Sequence, residues 1–292
     1  MKITVFTPTF NRGYIIESLF KSLQNQTFTN FEWLVIDDGS TDNTQSLFEK
    51  WIKENIAFPI RYYKVDNGGK HRAINRATDI ALGQLFFIVD SDDYLTDDAL
   101  QNIIEWENSL VDKKSYCGIA GNRGKNRETH IGTSFIGDFI DATSLDRSKH
   151  NILGDKAEVF YTNILKKYKF LEIEGEKFIT EATVWNLMAK DGYKIRWFNK
   201  TIYICDYLED GLTNNLKNIF SENPKGTAYY IKQQIELLNY NFKGRLSNYN
   251  LYYNFVKKNM GIKQAAENLE ITQTILFLAI FLYKCKKILI NK

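Results

Sequence analysis

The sequence predicts an α/β fold, in which a mostly parallel sheet is flanked by helices and followed by a helical C-terminal extension. Over about the first 120 residues, strand patterns alternate with helix patterns, as expected for βαβ units with right-handed crossovers. Two of the apolar strands are followed at once by clusters of aspartates. Ligands of open α/β sheets bind at the carboxyl ends of the strands, so these clusters indicate a ligand site.

Short apolar runs and helical spacings define the elements of the first half. The apolar runs predict strands over 2–6, 33–36, 60–65 and 85–89. Apolar residues at intervals of three and four predict a helix from about residue 15 and helices over 44–55, 70–82 and 97–110. Gly83 ends the third of these helices, and Thr96 and Asp97 are candidates to cap the fourth.

The pattern loosens after about residue 117. Residues 118–137 are polar and contain glycine, which is typical of strands joined by loops. We expect a helix over 182–190, strand structure over 194–207, and a loop over 206–215 that could close over substrates. From about residue 220 the chain reads as helical. We therefore predict one domain over 1–215, with halves at 1–115 and 116–215, and a helical extension over 216–292.

Composition narrows the function classes. The chain has 292 residues, and 38 basic against 35 acidic side chains leave a net charge of +3, which argues against general nucleic-acid binding. Three widely spaced cysteines form neither a disulfide framework nor a zinc motif, and the N-terminus begins directly with a strand pattern. We therefore expect a reducing, cytoplasmic setting.

The last part of the sequence carries a separate signal. Residues 275–283 are continuously apolar and are followed by Lys284, Lys286 and Lys287. Nine residues are too few to span a bilayer, which needs about 20. An apolar helix beside lysines suits the membrane interface, so we expect peripheral attachment at the inner face of the cell membrane. The alternative is a helix packed on the domain with a solvated basic end.

The second aspartate cluster predicts a cation site. Asp90 and Asp92 are two residues apart beyond a strand, so their carboxylates can converge on one face and would then repel each other. A hard divalent cation, Mg²⁺ or Mn²⁺, is the natural partner, usually shared with substrate phosphates. The alternative is an acidic turn that caps a helix.

Basic side chains near the same edge predict anion binding. Lys70, His71 and Arg72 begin a helix, where cations oppose the helix dipole unless an anion is bound, and Arg12 lies in the loop after the first strand. No glycine-rich dinucleotide motif follows the first strand, and no P-loop occurs. These absences disfavour a dinucleotide oxidoreductase and a P-loop kinase.

Four motifs in order now carry a family resemblance. They are TPTFNR at 7–12, VIDDGSTD at 35–42, NGGKHRAIN at 67–75 and VDSDD at 89–93. The chain resembles a family 2 glycosyltransferase of the GT-A fold, the class that builds bacterial surface polysaccharides. The resemblance is strong over about residues 1–110 and weak after about 215. It implies metal-dependent, inverting transfer of a sugar from a UDP-sugar donor to a glycan or lipid-linked acceptor.

The resemblance also implies roles for individual residues. Nucleotide-sugar contacts would come from Thr7, Pro8, Thr9, Arg12, Asp37, Asp38, Lys70, Asn75, Asp90, Ser91 and Asp93. Among them, Asp38, with or without Asp37, would accept the uracil N3–H, and Lys70 would lie near the diphosphate. Asp92 would ligate the metal directly, and Asp90 would contact the ribose, or the metal through water.

An inverting enzyme also needs a carboxylate base, which the family carries in an acidic pair that opens a helix. The matching residue is Glu181, although Ala182 replaces the second acid of the pair. Asp191, Glu176 and Asp155 remain alternatives for the base. Two rival functions remain as well. A nucleotidylyltransferase would be expected to show a glycine-rich basic loop after the first strand, which is absent here, and a non-catalytic, membrane-associated scaffold would lack turnover.

Overall fold

The computed structural model describes residues 1–205 and 212–290, with side chains for 1–205 and 215–284. The chain forms two compact units. The first comprises Met1–Lys169 and Leu187–Leu208, and the second comprises Phe170–Asn186 and Glu209–Lys292. The predicted α/β class with a helical C-terminal region is confirmed, whereas the domain boundaries drawn from the sequence stay a prediction.

The first unit is built on a nine-stranded sheet. Its strands are β1 (Ile3–Thr9), β2 (Phe31–Asp37), β3 (Ile60–Lys64), β4 (Leu85–Ile88), β5 (Asp93–Leu95), β6 (Tyr116–Gly124), β7 (Phe139–Ala142), β8 (Lys156–Tyr161) and β9 (Lys194–Cys205). The order is β3-β2-β1-β4-β8-β6-β9-β5, and β7 also pairs with β9. All four strands expected in the first half are present, and β1 continues beyond its predicted end at residue 6 to Thr9.

The sheet is mixed rather than mostly parallel. Strands β1 to β4 are mutually parallel, but β8 pairs antiparallel with both β4 and β6, and β5 and β7 pair antiparallel with β9. The parallel part follows from the helical crossovers between successive strands. The antiparallel part arises where the chain returns through loops after residue 124, a feature that the alternation at the N-terminal end does not encode.

Helices cover the parallel part and supply an aromatic core. The helices up to residue 169 are α1 (Glu17–Gln24), α2 (Thr44–Trp51), α3 (Lys70–Ile80), α4 (Ala99–Asn108) and α5 (Thr162–Leu165). Trp33 of β2 is fully buried and packs against Phe20 of α1 and Phe48 of α2. These large apolar side chains fix the helices on β2, so the loops at its carboxyl end have a rigid support.

The second unit is helical. After α6 (Ala182–Lys190), the chain forms α7 (Leu212–Glu222), α8 (Pro224–Leu237), α9 (Phe242–Val256), α10 (Ile262–Asn268) and α11 (Gln273–Ile290). Helix α7 corrects the expectation of a loop over 206–215 for its second part, whereas residues 206–211 lie outside the described residues. The core of α8 to α11 is formed by apolar side chains such as Ile231, Tyr252 and Leu276.

A helix that crosses a bilayer must be about 20 residues long and mostly apolar. Among the described residues, no single helix is both long and apolar enough to cross one. Helix α10 and the Gln273–Lys284 part of α11 reach that length and composition only as a pair, and they are bent by 108°.

Candidate functional site

The predicted site lies where β1, β2 and β4 end. These strands are neighbours and parallel, so their carboxyl ends share one edge of the sheet, with Thr9 opposite Asp37. The loops that follow β1 and β2 are tied together, because the Asn11 N–H donates to Ser40 Oγ at 2.8 Å and the Thr41 N–H donates to Asn11 Oδ1 at 2.7 Å. The first two motifs therefore form one joined surface.

Asp37 holds its own loop in place. Its side chain is fully buried, and its oxygens accept hydrogen bonds from the Ser40 N–H at 2.7 Å and from the Tyr62 hydroxyl. Burial, followed by the bond to Asp37, raises the pKa of Tyr62 far above its ordinary value. Asp37 thus stabilises its loop through contacts inside the protein. Its role in nucleotide binding stays a prediction.

Asp38 organises the turn that precedes α3. Its carboxylate accepts the Gly68 N–H at 2.7 Å, the Gly69 N–H at 2.8 Å and the Asn67 side-chain amide at 3.2 Å. Gly69 has φ 95°, in the left-handed region that side chains rarely adopt, so a glycine is favoured at this position. The second and third motifs are therefore joined through Asp38.

Asp90 is surrounded by cations. Lys70 Nζ lies 2.5 Å from Asp90 Oδ1, and Arg123 Nη1 lies 3.3 Å from Oδ2. The Tyr203 hydroxyl accepts the Asp90 N–H at 2.9 Å. Burial would raise the pKa of Asp90, but Lys70 and then Arg123 outweigh it and hold this pKa below its ordinary value. Asp90 is thus ionised and held from two sides.

Asp92 differs from its two neighbouring aspartates. It is half-buried, and no side-chain partner to its carboxylate is found in the described part of the chain. Burial, and then the charge of Asp90, raises the pKa of Asp92, while Arg12 and Lys70 oppose this rise. Asp93 is buried, and its Oδ2 lies 3.9 Å from Arg123 Nη1. Burial, and then the charge of Asp90, raises the pKa of Asp93 as well.

These carboxylates can be tested for their fit to a divalent cation. Within the described residues, no three or more His, Cys, Asp or Glu side chains are arranged to hold a metal ion by themselves. Mg²⁺, however, is usually held by one or two carboxylates together with substrate phosphates and water. Asp92 fits that role, because it is a carboxylate in a like-charged, partly buried position that a cation would stabilise.

The remaining predicted nucleotide-sugar residues lie at the same edge, with different exposure. Thr7 and Pro8 are buried in β1, and Thr7 Oγ1 accepts the Trp33 indole N–H at 3.0 Å. Thr9 Oγ1 is buried and has no hydrogen-bond partner among the described residues. Arg12 is half-buried in the loop after β1.

Two more predicted residues are buried, Asn75 on α3 and Ser91 between Asp90 and Asp92. The structure therefore brings the motif residues of the first unit to one edge of the sheet. Their individual roles toward a ligand stay predictions.

Glu181 lies directly before α6, as expected. Its carbonyl oxygen accepts the N–H groups of Val184 and Trp185, which starts the helix. Trp185 is buried and packs edge-on against Phe170, so it serves the core of the second unit. The role of Glu181 as base stays a prediction.

The alternative bases have other contacts. Glu176 is buried, and its two oxygens accept the Lys225 and Gly226 N–H groups at 2.7 Å each, which caps α8. Asp191 accepts the Tyr168 hydroxyl at 2.6 Å, and Asp155 is exposed. Glu176 therefore has a structural task, because it caps α8.

Arg123 was not found from the sequence. It stands on β6, donates its Nε–H to the Lys156 carbonyl at 3.0 Å, and stacks on the Tyr203 ring at 4.2 Å. The guanidinium group thus reaches Asp90 and Asp93 together. The only signal in the sequence was one arginine in a polar, glycine-containing stretch, and pairing between β6 and β9 is needed to place it.

Comparison with known proteins agrees with this geometry. The family described as Glycosyl transferase family 2 matches residues 4–164. The GalNAc(5)-diNAcBac-PP-undecaprenol beta-1,3-glucosyltransferase of Campylobacter jejuni is 30% identical over 199 residues, which are 65% of this chain and 60% of that protein. The match thus spans less than two thirds of this relative's length.

Solved structures show the same fold. TarS residues 1–349 of Staphylococcus aureus in complex with UDP-GlcNAc align with a TM-score of 0.61 and 18% identity, covering 98% of this chain and 92% of that one. The mannosyltransferase PcManGT of Pyrobaculum calidifontis, in complex with GDP-Man and Mn²⁺, aligns with a TM-score of 0.55 and 17% identity. That alignment covers 95% of this chain and 73% of PcManGT.

Proposed function

The chain belongs to glycosyl transferase family 2, and from this premise we propose that it transfers a sugar from a UDP-sugar to a glycan or lipid-linked acceptor in bacterial polysaccharide synthesis, with metal dependence and inversion. One observation carries the proposal. The loops after β1, β2 and β4 meet at one edge of the sheet, with Asp38 on one side and Asp90 and Asp92 on the other. An extended ligand with a base at one end and a diphosphate at the other fits this arrangement.

The nucleotide base would bind beside the loop that Asp38 organises. A cavity of about 610 Å³ opens there, lined by Gly39, Ser40, Thr41, Lys64, Val65, Asp66, Asn67 and Arg76. Asp38 would accept the N3–H of the uracil at this end of the site. The UDP-GlcNAc complex of TarS, which shares this fold, supports a uridine nucleotide as the donor.

The diphosphate would bind at the opposite end of the site. Lys70 already pairs with Asp90, and its ammonium group has three donors, so it can hold Asp90 and a phosphate oxygen together. Asp92 would hold the Mg²⁺ or Mn²⁺ ion, and the Mn²⁺ in the PcManGT complex supports a divalent cation in this fold. When bound, such an ion stabilises the negative charge that develops on the leaving diphosphate.

Lys70 and Arg12 would add fixed positive charge where the leaving group forms. Both cations lie near enough to Asp92 to oppose the rise of its pKa that burial and Asp90 cause. Preorganised charge of this kind stabilises a transition state without reorganisation of the protein. Arg123 would keep Asp90 in one orientation from the protein side, so that Lys70 can turn toward the donor.

Glu181 would act as the general base. An inverting displacement needs a carboxylate that removes the proton of the acceptor hydroxyl as it attacks the anomeric carbon. Glu181 stands at the start of α6, and Glu176, the nearest alternative in sequence, is engaged in capping α8. We therefore assign the base to Glu181.

A panel of nucleotide-sugars tests the proposal. UDP-sugars and GDP-mannose would be incubated with the protein in Mn²⁺, Mg²⁺ or EDTA, and the released nucleotide and the melting temperature would be measured. We expect at least one UDP-sugar to raise the melting temperature and to release UDP only with metal. Stabilisation by UDP-sugars without any release would favour the scaffold, and no response to any UDP-sugar would contradict the proposed donor class.

A further inference from the structure

Over its described side chains, up to Lys284, helix α11 has one apolar face that is covered and one that is exposed. Leu276 and Ala279 are buried, and Leu276 belongs to the core formed with α8, α9 and α10. On the other face, the exposed fractions are 61% for Phe277, 38% for Leu278, 54% for Phe281 and 47% for Leu282. The helical core of this unit is thus closed without these four side chains.

The four exposed side chains form one patch. Their spacing of one, four and five residues places them on the same side of a helix. Two of them are phenylalanines, which are large apolar groups and are uncommon as exposed neighbours on a soluble surface. We call Phe277, Leu278, Phe281 and Leu282 the outer face of α11.

The charge in the segment that carries the outer face has one sign. Residues 271–292 contain no aspartate or glutamate and four lysines, at 284, 286, 287 and 292. Lys284 is exposed and follows the patch directly. Lysines next to the patch repel the same lysines of a second copy and attract an anionic surface.

We propose that the outer face of α11 binds the surface of an anionic lipid bilayer, with its apolar side chains among the acyl chains and the lysines at the headgroups. Helices that combine an exposed apolar face with lysines lie in the plane of the membrane interface. The attraction to anionic lipid contributes roughly fivefold in affinity for each lysine near the surface. This attachment is independent of the chemistry of the first unit.

Vesicle flotation of the full-length protein tests the proposal. Vesicles of phosphatidylcholine alone would be compared with vesicles that also contain phosphatidylglycerol, at low and high salt. We expect flotation with the anionic vesicles, little flotation with the neutral ones, and weakening at high salt.

Two sets of substitutions separate the apolar and the charged contributions. The double variant Phe277→Ser with Phe281→Ser should lose flotation. The variant with Lys284→Gln, Lys286→Gln and Lys287→Gln should bind anionic vesicles about 100-fold more weakly. Because Phe277, Phe281 and Lys284 are exposed, both variants should keep the wild-type circular dichroism spectrum.

A matched control removes exposed apolar side chains elsewhere. Val111 and Ile136 are fully exposed in the first unit, so Val111→Ser with Ile136→Ser should float like the wild type. Equal flotation of the Phe277/Phe281 variant and the wild type, or no flotation of the wild type, would overturn the proposal. Light scattering on the same samples tests whether a second copy of the chain covers the outer face instead of a membrane. A wild-type dimer that the Phe277/Phe281 serine variant dissociates would show this and would overturn the proposal.

Discussion

Replacing Arg123 tests whether the cluster around Asp90 is held from the protein side. Arg123 Nη1 lies 3.3 Å from Asp90 and 3.9 Å from Asp93, and 13% of its side chain is exposed. At an effective dielectric constant of about 20, these two distances correspond to gross attractions of about 5 and about 4 kcal/mol. Desolvation of the ions offsets much of this, and loss of one partner from a buried ion pair generally destabilises a protein by about 3–5 kcal/mol.

Arg123→Met should therefore lower the free energy of unfolding by about 3 kcal/mol, at the lower end of that range, because Lys70 still neutralises Asp90. Turnover should fall about 10–100-fold, as is typical when a residue that orients a ligating side chain is lost. Arg123→Lys keeps the charge but loses the stacking on Tyr203, so its unfolding free energy and turnover should lie between those of the wild type and of Arg123→Met. Urea unfolding followed by tryptophan fluorescence and metal-dependent UDP release measure the two effects.

Arg196 provides a matched control. Its side chain is also 13% exposed, pairs with Asp141 at 2.8 Å, and lies 4.2 Å above the Phe139 ring. Arg196→Met should destabilise the first unit to a similar degree and leave the metal concentration for half-maximal UDP release unchanged. The reasoning about Arg123 is refuted if Arg123→Met behaves in both assays as Arg196→Met does.

Three further predictions concern the base, the loop and a buried lysine. Glu181→Gln should reduce UDP release about 10²–10⁴-fold and leave the UDP affinity measured by calorimetry unchanged. Glu176→Gln should instead lower the melting temperature, because Glu176 caps α8. Equal effects of the two substitutions would contradict the assignment of the base. Asp38→Asn replaces an oxygen that accepts a backbone N–H with an amide donor, so it should cost about 2 kcal/mol of unfolding free energy in urea and weaken UDP binding; tight UDP binding by this variant would exclude a contact with the base. Burial lowers the pKa of Lys156 from 10.5 to about 8, so the unfolded chain binds more protons than the folded one between these pH values. The free energy of unfolding should therefore rise across this range by up to about 3 kcal/mol more in the wild type than in Lys156→Met. Parallel pH profiles of the two proteins would contradict this.

The sequence predicted the parallel part of the fold because its signals are local. Strands β1 to β4 are apolar runs between helical spacings, and the four motifs mark their carboxyl ends. Strand β5 has only three residues, and β7 is a mostly half-buried or exposed segment that includes Asp141, so neither forms a recognisable apolar run. Strand β8 begins with Lys156, which is buried only because Asn122 and Thr133 accept its hydrogen bonds, and these partners are 34 and 23 residues away.

The sequence predicted that the loops after the parallel strands meet at one edge of the sheet, but it did not predict the contacts made there. The family resemblance implied that Asp37 and Asp38 contact the nucleotide, and this stays a prediction. A carboxylate pattern cannot show that Asp37 is buried against Tyr62 or that Asp38 holds the Gly68–Gly69 turn. The contacts of Asp90 were missed for a similar reason. They come from Arg123 and Tyr203, which reach it through pairing of distant strands.

The central claim is that Asp92 holds a divalent cation for a UDP-sugar, and a metal titration of UDP release tests it most directly. Asp92→Asn is compared with Asp97→Asn, which removes an exposed carboxylate five residues away. We predict that Asp92→Asn lowers Mn²⁺-dependent UDP release by more than about 100-fold, while Asp97→Asn matches the wild type. Wild-type release by Asp92→Asn, with an unchanged Mn²⁺ requirement, would contradict the account.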